Sequence, residues 1–232
     1  MINRVADDVS LWPLGRCPKC GARLSAGEMV PVVSYLVRRG RCGHCGERYG
    51  RSYLVVELVT AVAFGLLGLR FGPSPDLAAF LYLAAVGVVL SGIDIARHRL
   101  PDVFTKTSYL VLGGLFAIAV PHLPDGPERF IYALIGMAAM ALLYFIMWLI
   151  NPRGMAWGDV KLSGSIGLAL GWLGPSAFIT GLFVAFLFAS AYGLVMIVRR
   201  RATMKSAIPF GPFMIGGTLI AVLLSNVVHL YG

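Results

Sequence analysis

Only 11 of the 232 residues are acidic, and two of them stand where long uncharged runs meet polar breaks. Asp94 closes one run in VVLSGIDIARHRLPD, and Asp159 opens another in GMAWGDVKL. Two carboxylates brought together cannot both ionise easily, so such a pair shares one proton. One member can then take a proton from water while the other polarises a carbonyl, which is the equipment for peptide hydrolysis without a covalent intermediate. The bland alternative is that each acid is a solvated interfacial residue balanced by a nearby base, Arg97 for Asp94 and Lys161 for Asp159. Other hydrolytic chemistries find less support. The four histidines, His44, His98, His122 and His229, are scattered and form no HExxH, and the apolar part holds no evident Ser-Lys or Cys-His constellation.

A second constellation lies near the N-terminus. Every cysteine of the chain belongs to one of two pairs, Cys17-Pro18-Lys19-Cys20 and Cys42-Gly43-His44-Cys45, which together read CxxC-x21-CxxC. That is the ligand count and spacing of a structural tetrahedral Zn2+ site, and four thiolates close it without His44. Arg16, Lys19 and Arg41 stand ready to offset the surplus negative charge. Residues 1–52 are too few to bury a large core, so zinc would supply folding energy directly.

The elements that must position these residues follow from composition. Hydrophobic residues make up 58% of the chain and charged residues 13%, about half the charged share of a soluble domain. No charge interrupts residues 130–152, a run long enough to cross a bilayer. These features predict an all-α polytopic membrane protein, with a small cytoplasmic zinc-binding domain at 1–52 and a transmembrane domain at 53–232. Spans are expected at about 53–70, 77–93, 104–121, 130–150, 160–173, 175–198 and 208–230. The stretch from Leu162 to Val198 is uncharged and, as one helix, would nearly double the hydrocarbon thickness. Gly174-Pro175 is the natural hairpin within it. With residues 1–52 in the cytoplasm, only Arg70 and Arg129 of the 20 Lys and Arg fall on the outer side, as the positive-inside rule requires. Both aspartates then lie at the cytoplasmic edge. The net charge of +9 is thereby explained by the membrane rather than by nucleic acid, for which no basic-aromatic platform exists. The polar opening MINRVADDVS shows no signal-peptide pattern.

Three weaker signals remain. Glu57 lies one turn inside the first span, where an acid is either functional or solvated at the interface. Pro209-Phe210-Gly211-Pro212 suits a kinked helix start lining a cavity. Leu100-Pro101-Asp102 halts the helix after Asp94, since proline disfavours helical geometry in the residue before it.

In order along the chain, D-x6-P-D at Asp94–Asp102, GD-x-KL at Gly158–Leu162 and PFGPF at Pro209–Phe213 resemble the type IV prepilin peptidase family. The resemblance runs from about Ile2 through the last span. It implies an aspartic endopeptidase that cuts the leader from prepilin or pseudopilin substrates at the cytoplasmic membrane face, with Asp94 and Asp159 as the catalytic pair and Asp102 as a helix-turn residue. It also implies, in many members, N-methylation of the new N-terminus with S-adenosylmethionine. No Gly-rich nucleotide loop appears in residues 1–52, so that second activity rests on the resemblance alone. Two departures stand out. Ala156 replaces the first glycine of the family's GxGD, and the transmembrane helix that usually precedes the cysteine domain is represented only by Ile2-Asn3-Arg4-Val5. Two rival readings have other mechanisms: an ion-coupled transporter, whose sites lie near the bilayer midplane, and a non-enzymatic zinc-ribbon assembly factor.

Metal analysis of the purified protein should find about one zinc per chain. Replacing Cys17 and Cys20 together should remove it and make residues 1–52 protease-sensitive; full metal content in that double variant would contradict the tetracysteine site.

Overall fold

Prolines and glycines between apolar runs end helices by removing a backbone donor or by favouring non-helical angles. The computed structural model describes residues 20–22, 41, 44–46, 51–97, 100–152, 154–200 and 209–225. Among them are α1 (Arg51–Phe71), α2 (Leu77–Arg97), α3 (Asp102–Ala119) with a 3-10 turn at Val120–His122, α4 (Gly126–Ile150), α5 (Trp157–Trp172), α6 (Pro175–Val198) and α7 (Gly211–Leu224). The chain divides into two compact units, Met1–Ala63 and Phe64–Gly232. All helices from α2 onward belong to the second.

Each expected span has its helix among the described residues, but they are not equal. Five are long and apolar enough to cross a membrane: α1, α2, α3 with its 3-10 turn, α4 and α6. α5 has 16 residues, a rise of about 24 Å against a hydrocarbon core of about 30 Å, and α7 is shorter still. The last span, expected from 208, begins at Gly211, because Pro209 and Phe210 are not helical; residues 226–232 lie outside the described part. α2 runs past Asp94 by a further turn to Arg97, and α3 starts at Asp102 after an extended Pro101. The hairpin between α5 and α6 falls at Gly174, whose φ of 97° favours a residue without Cβ.

α5 is the centre of the second unit. All of its residues except Trp157, Gly158 and Lys161 are buried, so it meets helices rather than lipid and need not match the bilayer. Its glycines make this possible. A Cβ on Gly167 would collide with the carbonyl of Gly136 in α4, and one on Gly171 would strike the carbonyl of Tyr132. Small residues that let backbones touch are the usual way helices associate where no water drives them together. α7 packs on α6 in the same manner, with Gly217 lying 2.7 Å, at its absent Cβ, from the amide of Ala185.

At the end of the bundle away from the aspartates, charge is buried. Asp76, 1% exposed, accepts a hydrogen bond from the Ser74 hydroxyl at 2.7 Å and one from Trp172 Nε1 at 3.0 Å. Arg129 Nη1 lies 3.8 Å from the same carboxylate, while its Nε donates to Asp125 at 2.8 Å. Beneath them the rings of Phe71, Phe80, Phe116 and Trp172 follow one another at centroid distances of 4.6, 5.6 and 4.5 Å. Arg129 is therefore no solvated loop charge. It ties the start of α4 to the start of α2, and Trp172 adds the end of α5.

Removing one partner of a buried ion pair leaves the other uncompensated, a loss of about 3–5 kcal/mol. Arg129→Met should accordingly lower the thermal unfolding temperature of the detergent-solubilised protein sharply, and adding Asp76→Asn should recover part of the loss. An unchanged melting temperature in Arg129→Met would show that the cluster contributes nothing.

Candidate active site

Asp94 lies in the last turn of α2 and Asp159 in the first turn of α5, and the fold brings these two helix ends together. The two side chains are 4% and 3% exposed, too little for solvated interfacial residues. They lie near enough for the charge of Asp94 to act on Asp159. The base expected to balance Asp159 does not do so. Lys161 turns away from Asp159 and pairs with Asp102, Nζ to Oδ1 at 2.6 Å.

Each carboxylate has a different setting. Asp94 Oδ2 accepts the backbone N–H of Gly211 at 3.0 Å, at the N-terminus of α7. A Cβ on Gly211 would sit 2.8 Å from that oxygen, so glycine is needed for the approach. Phe210 seats this corner by packing on Tyr144 and Phe186 at ring distances of 6.0 and 5.2 Å. The PFGPF segment is thus less a kink than a support for Asp94. Asp159 has its N–H bonded to the Ala156 carbonyl at 3.0 Å, while its Oδ1 is buried with no hydrogen-bond partner among the described residues. Tyr144, 1% exposed, is close enough to feel the charge of Asp159. Ala156, where the family has glycine, is extended with ψ 144° and N-caps α5 without strain.

Beside Asp159, Gly158 allows the chain to pass Leu100, whose Cβ would lie 2.9 Å from a side chain there. Trp157, 45% exposed, packs on Trp148 and Phe145 at 4.8 and 6.2 Å, as aromatic residues do at a membrane interface. Asp102 is exposed and joins α3 to α5, taking no place beside the pair. Glu57 is half-buried in α1, within the first unit.

Of the four cysteines, Cys17 and Cys42 lie outside the described residues, and no cluster of potential metal ligands occurs among those described. Cys20 and Cys45 are exposed, and each is followed by a glycine with φ of 69°, Gly21 and Gly46. After Cys20 and after Cys45 the chain thus takes the same left-handed conformation, which glycine adopts without strain. Donor set and turns fit a thiolate-bound metal.

A bundle of apolar helices with two buried carboxylates at one end defines a polytopic membrane protein with a carboxylate-pair site. Residues 81–198 match the Type IV leader peptidase family and residues 1–71 match the Bacterial Peptidase A24 N-terminal domain. A Prepilin leader peptidase/N-methyltransferase of Burkholderia pseudomallei (strain 1026b) is 36% identical over 88% of this chain and 65% of its own length. Proteins of the same name from Bacillus subtilis (strain 168) and Aeromonas salmonicida (strain A449) are 28% and 32% identical, over 92% and 91% of this chain and 83% and 71% of theirs. The chain belongs to the Type IV leader peptidase family. It spans about two thirds of the length of the Burkholderia relative, 65%. No solved structure matches it.

Proposed function

We propose that this chain is a membrane aspartic endopeptidase that removes the leader from prepilin or pseudopilin substrates, with Asp94 and Asp159 as its catalytic pair. The observation that carries the reading is two carboxylates buried at one end of an apolar bundle, each within reach of the other's charge. The names of its relatives supply the substrate class. A transporter reading fits less well, since both acids stand at helix ends rather than at mid-bilayer.

The two settings divide the labour. The pair holds one proton between its members. Asp94, whose Oδ2 already accepts the Gly211 amide, is the carboxylate, and Asp159, with a buried oxygen that has no partner among the described residues, carries the proton. Water between them gives a proton to Asp94 as its oxygen bonds to the scissile carbonyl carbon. Asp159 gives its proton to the carbonyl oxygen, forming a gem-diol. Return of a proton from Asp94 to the amide nitrogen, and of a diol proton to Asp159, then breaks the C–N bond and restores the pair.

Charge distribution supports an orientation with this end in the cytoplasm of a multi-pass protein in the cytoplasmic membrane, all seven helices crossing, the two short ones lined by neighbours. A prepilin's apolar helix would partition into the bilayer, entering laterally between spans, and its leader would reach the pair extended. We further infer that residues 1–52 form a domain in which Cys17, Cys20, Cys42 and Cys45 hold a structural Zn2+, which when bound fixes the two turns at Gly21 and Gly46. The methylation with S-adenosylmethionine rests on the relatives' names alone.

Asp94→Asn and Asp159→Asn should each abolish leader cleavage while leaving membrane insertion intact, measured by incubating the purified protein with a prepilin and mapping products by mass spectrometry. Processing at a near-wild-type rate by either variant would remove the catalytic assignment.

A further inference from the structure

Asp159 stands on a helix start that does little to hold itself. The first amides of any α-helix lack intrahelical acceptors, and the N-cap of α5, Ala156, offers no side-chain hydrogen bond. The described residues just before α5, Gly154–Ala156, are not helical. The position of the first turn must therefore come from contacts with other elements. Two contacts converge on Lys161, two residues after Asp159. Its Nζ donates to Asp102 Oδ1 at 2.6 Å, and its backbone carbonyl accepts the hydroxyl of Tyr109 at 2.6 Å. Both partners come from α3, which follows α2, the helix of Asp94, after one short connection. Tyr109 is itself backed by Gly164, where any Cβ would collide with its hydroxyl.

We propose that Asp102, Lys161 and Tyr109 form a clasp between α3 and α5 whose role is to set the position of Asp159 relative to Asp94. These are positioning residues: the hydrogen bonds that join them run between α3 and α5. The inference rests on the peptidase reading of the pair. Stability is a poor explanation for the ion pair: Lys161 and Asp102 are 25% and 51% exposed, and such pairs contribute little to folding. Lys106, which also approaches Asp102 at 3.6 Å, lies on α3 itself and ties nothing across. Reaction geometry is far more demanding than stability, because a misplacement of about 1 Å can cost on the order of a hundredfold in rate.

The test is a double-mutant cycle on the full chain in proteoliposomes, with a prepilin whose cleavage site has been mapped. Asp102→Asn and Lys161→Met should each lower kcat about tenfold with KM within about twofold, since the loss is of alignment rather than of binding. The double variant should be no worse than about tenfold, because both changes open the same clasp. Lys161→Arg, which keeps a donor for Asp102, should restore kcat to within about threefold of wild type. Wild-type kcat in the single variants, multiplication of their losses in the double variant, or a loss in Lys161→Arg equal to that in Lys161→Met would each overturn the clasp. Asp94→Asn and Asp159→Asn, assayed alongside, separate the two levels. If they cleave normally the peptidase reading fails; if they are inactive while the clasp variants are normal, only the clasp fails.

Discussion

A helix that carries an ionisable group into a bundle must be wrapped by its neighbours, and α5 meets that constraint by giving up side chains. Gly167 and Gly171 let the backbone of α4 lie against it, and Gly164 makes room for Tyr109 of α3. With neighbours this close, only Trp157, Gly158 and Lys161 of α5 escape burial. Asp159 is held in the first turn of a helix that is buried from Leu162 to Trp172. Its companion arrives on α2, whose last turn is fixed in part by the Gly211 amide of α7. A bulkier residue at Gly167 or Gly171 would push α4 away and shift Asp159 with the whole helix, so the site inherits its geometry from packing far below it.

Both ends of the bundle bury charge. At the far end, Asp76 has its Ser74, Trp172 and Arg129 partners, and the cluster works as a staple among α2, α4 and α5. At the Asp94 end, Lys161, two residues from Asp159, pairs with Asp102 instead. An oxygen of Asp159 has no hydrogen-bond partner among the described residues. Buried polar groups are normally satisfied; Asp125 Oδ1 and Arg129 Nη2 at the far end share the exception among the described residues, so the proximity of Asp94, rather than the missing partner, distinguishes Asp159. In the proposed mechanism, a matched base beside Asp159 would remove the shared proton that hydrolysis requires.

The sequence made the helices legible because hydrocarbon demands long uncharged runs, and Gly174-Pro175 marked the hairpin that splits α5 from α6. Asp94 and Asp159 were visible for the same reason: acids are few, and these two stand at span ends. What stayed hidden depends on which helices touch. Nothing local in Lys161 says that it reaches Asp102 rather than its neighbour Asp159, and nothing in Arg129 distinguishes a buried clamp from a loop charge. The spacing of Gly164, Gly167 and Gly171 is a small-residue signal that could have indicated that α5 is central. PFGPF read as a cavity-lining kink, and only the fold reveals that Gly211 supports Asp94. The proposed zinc site rests on motif spacing and on the positive φ at Gly21 and Gly46, with Cys17 and Cys42 outside the described residues.

The central claim is that α2 and α5 bring Asp94 and Asp159 side by side. Cross-linking tests it most directly, using Asp94→Cys with Asp159→Cys in a chain lacking the four native cysteines, treated in membranes with a short bifunctional thiol reagent. This pair should cross-link readily within one chain, whereas Asp94→Cys with Asp125→Cys, at opposite ends of the bundle, should not. Failure of the first pair to react, or equal yields from both, would contradict the account.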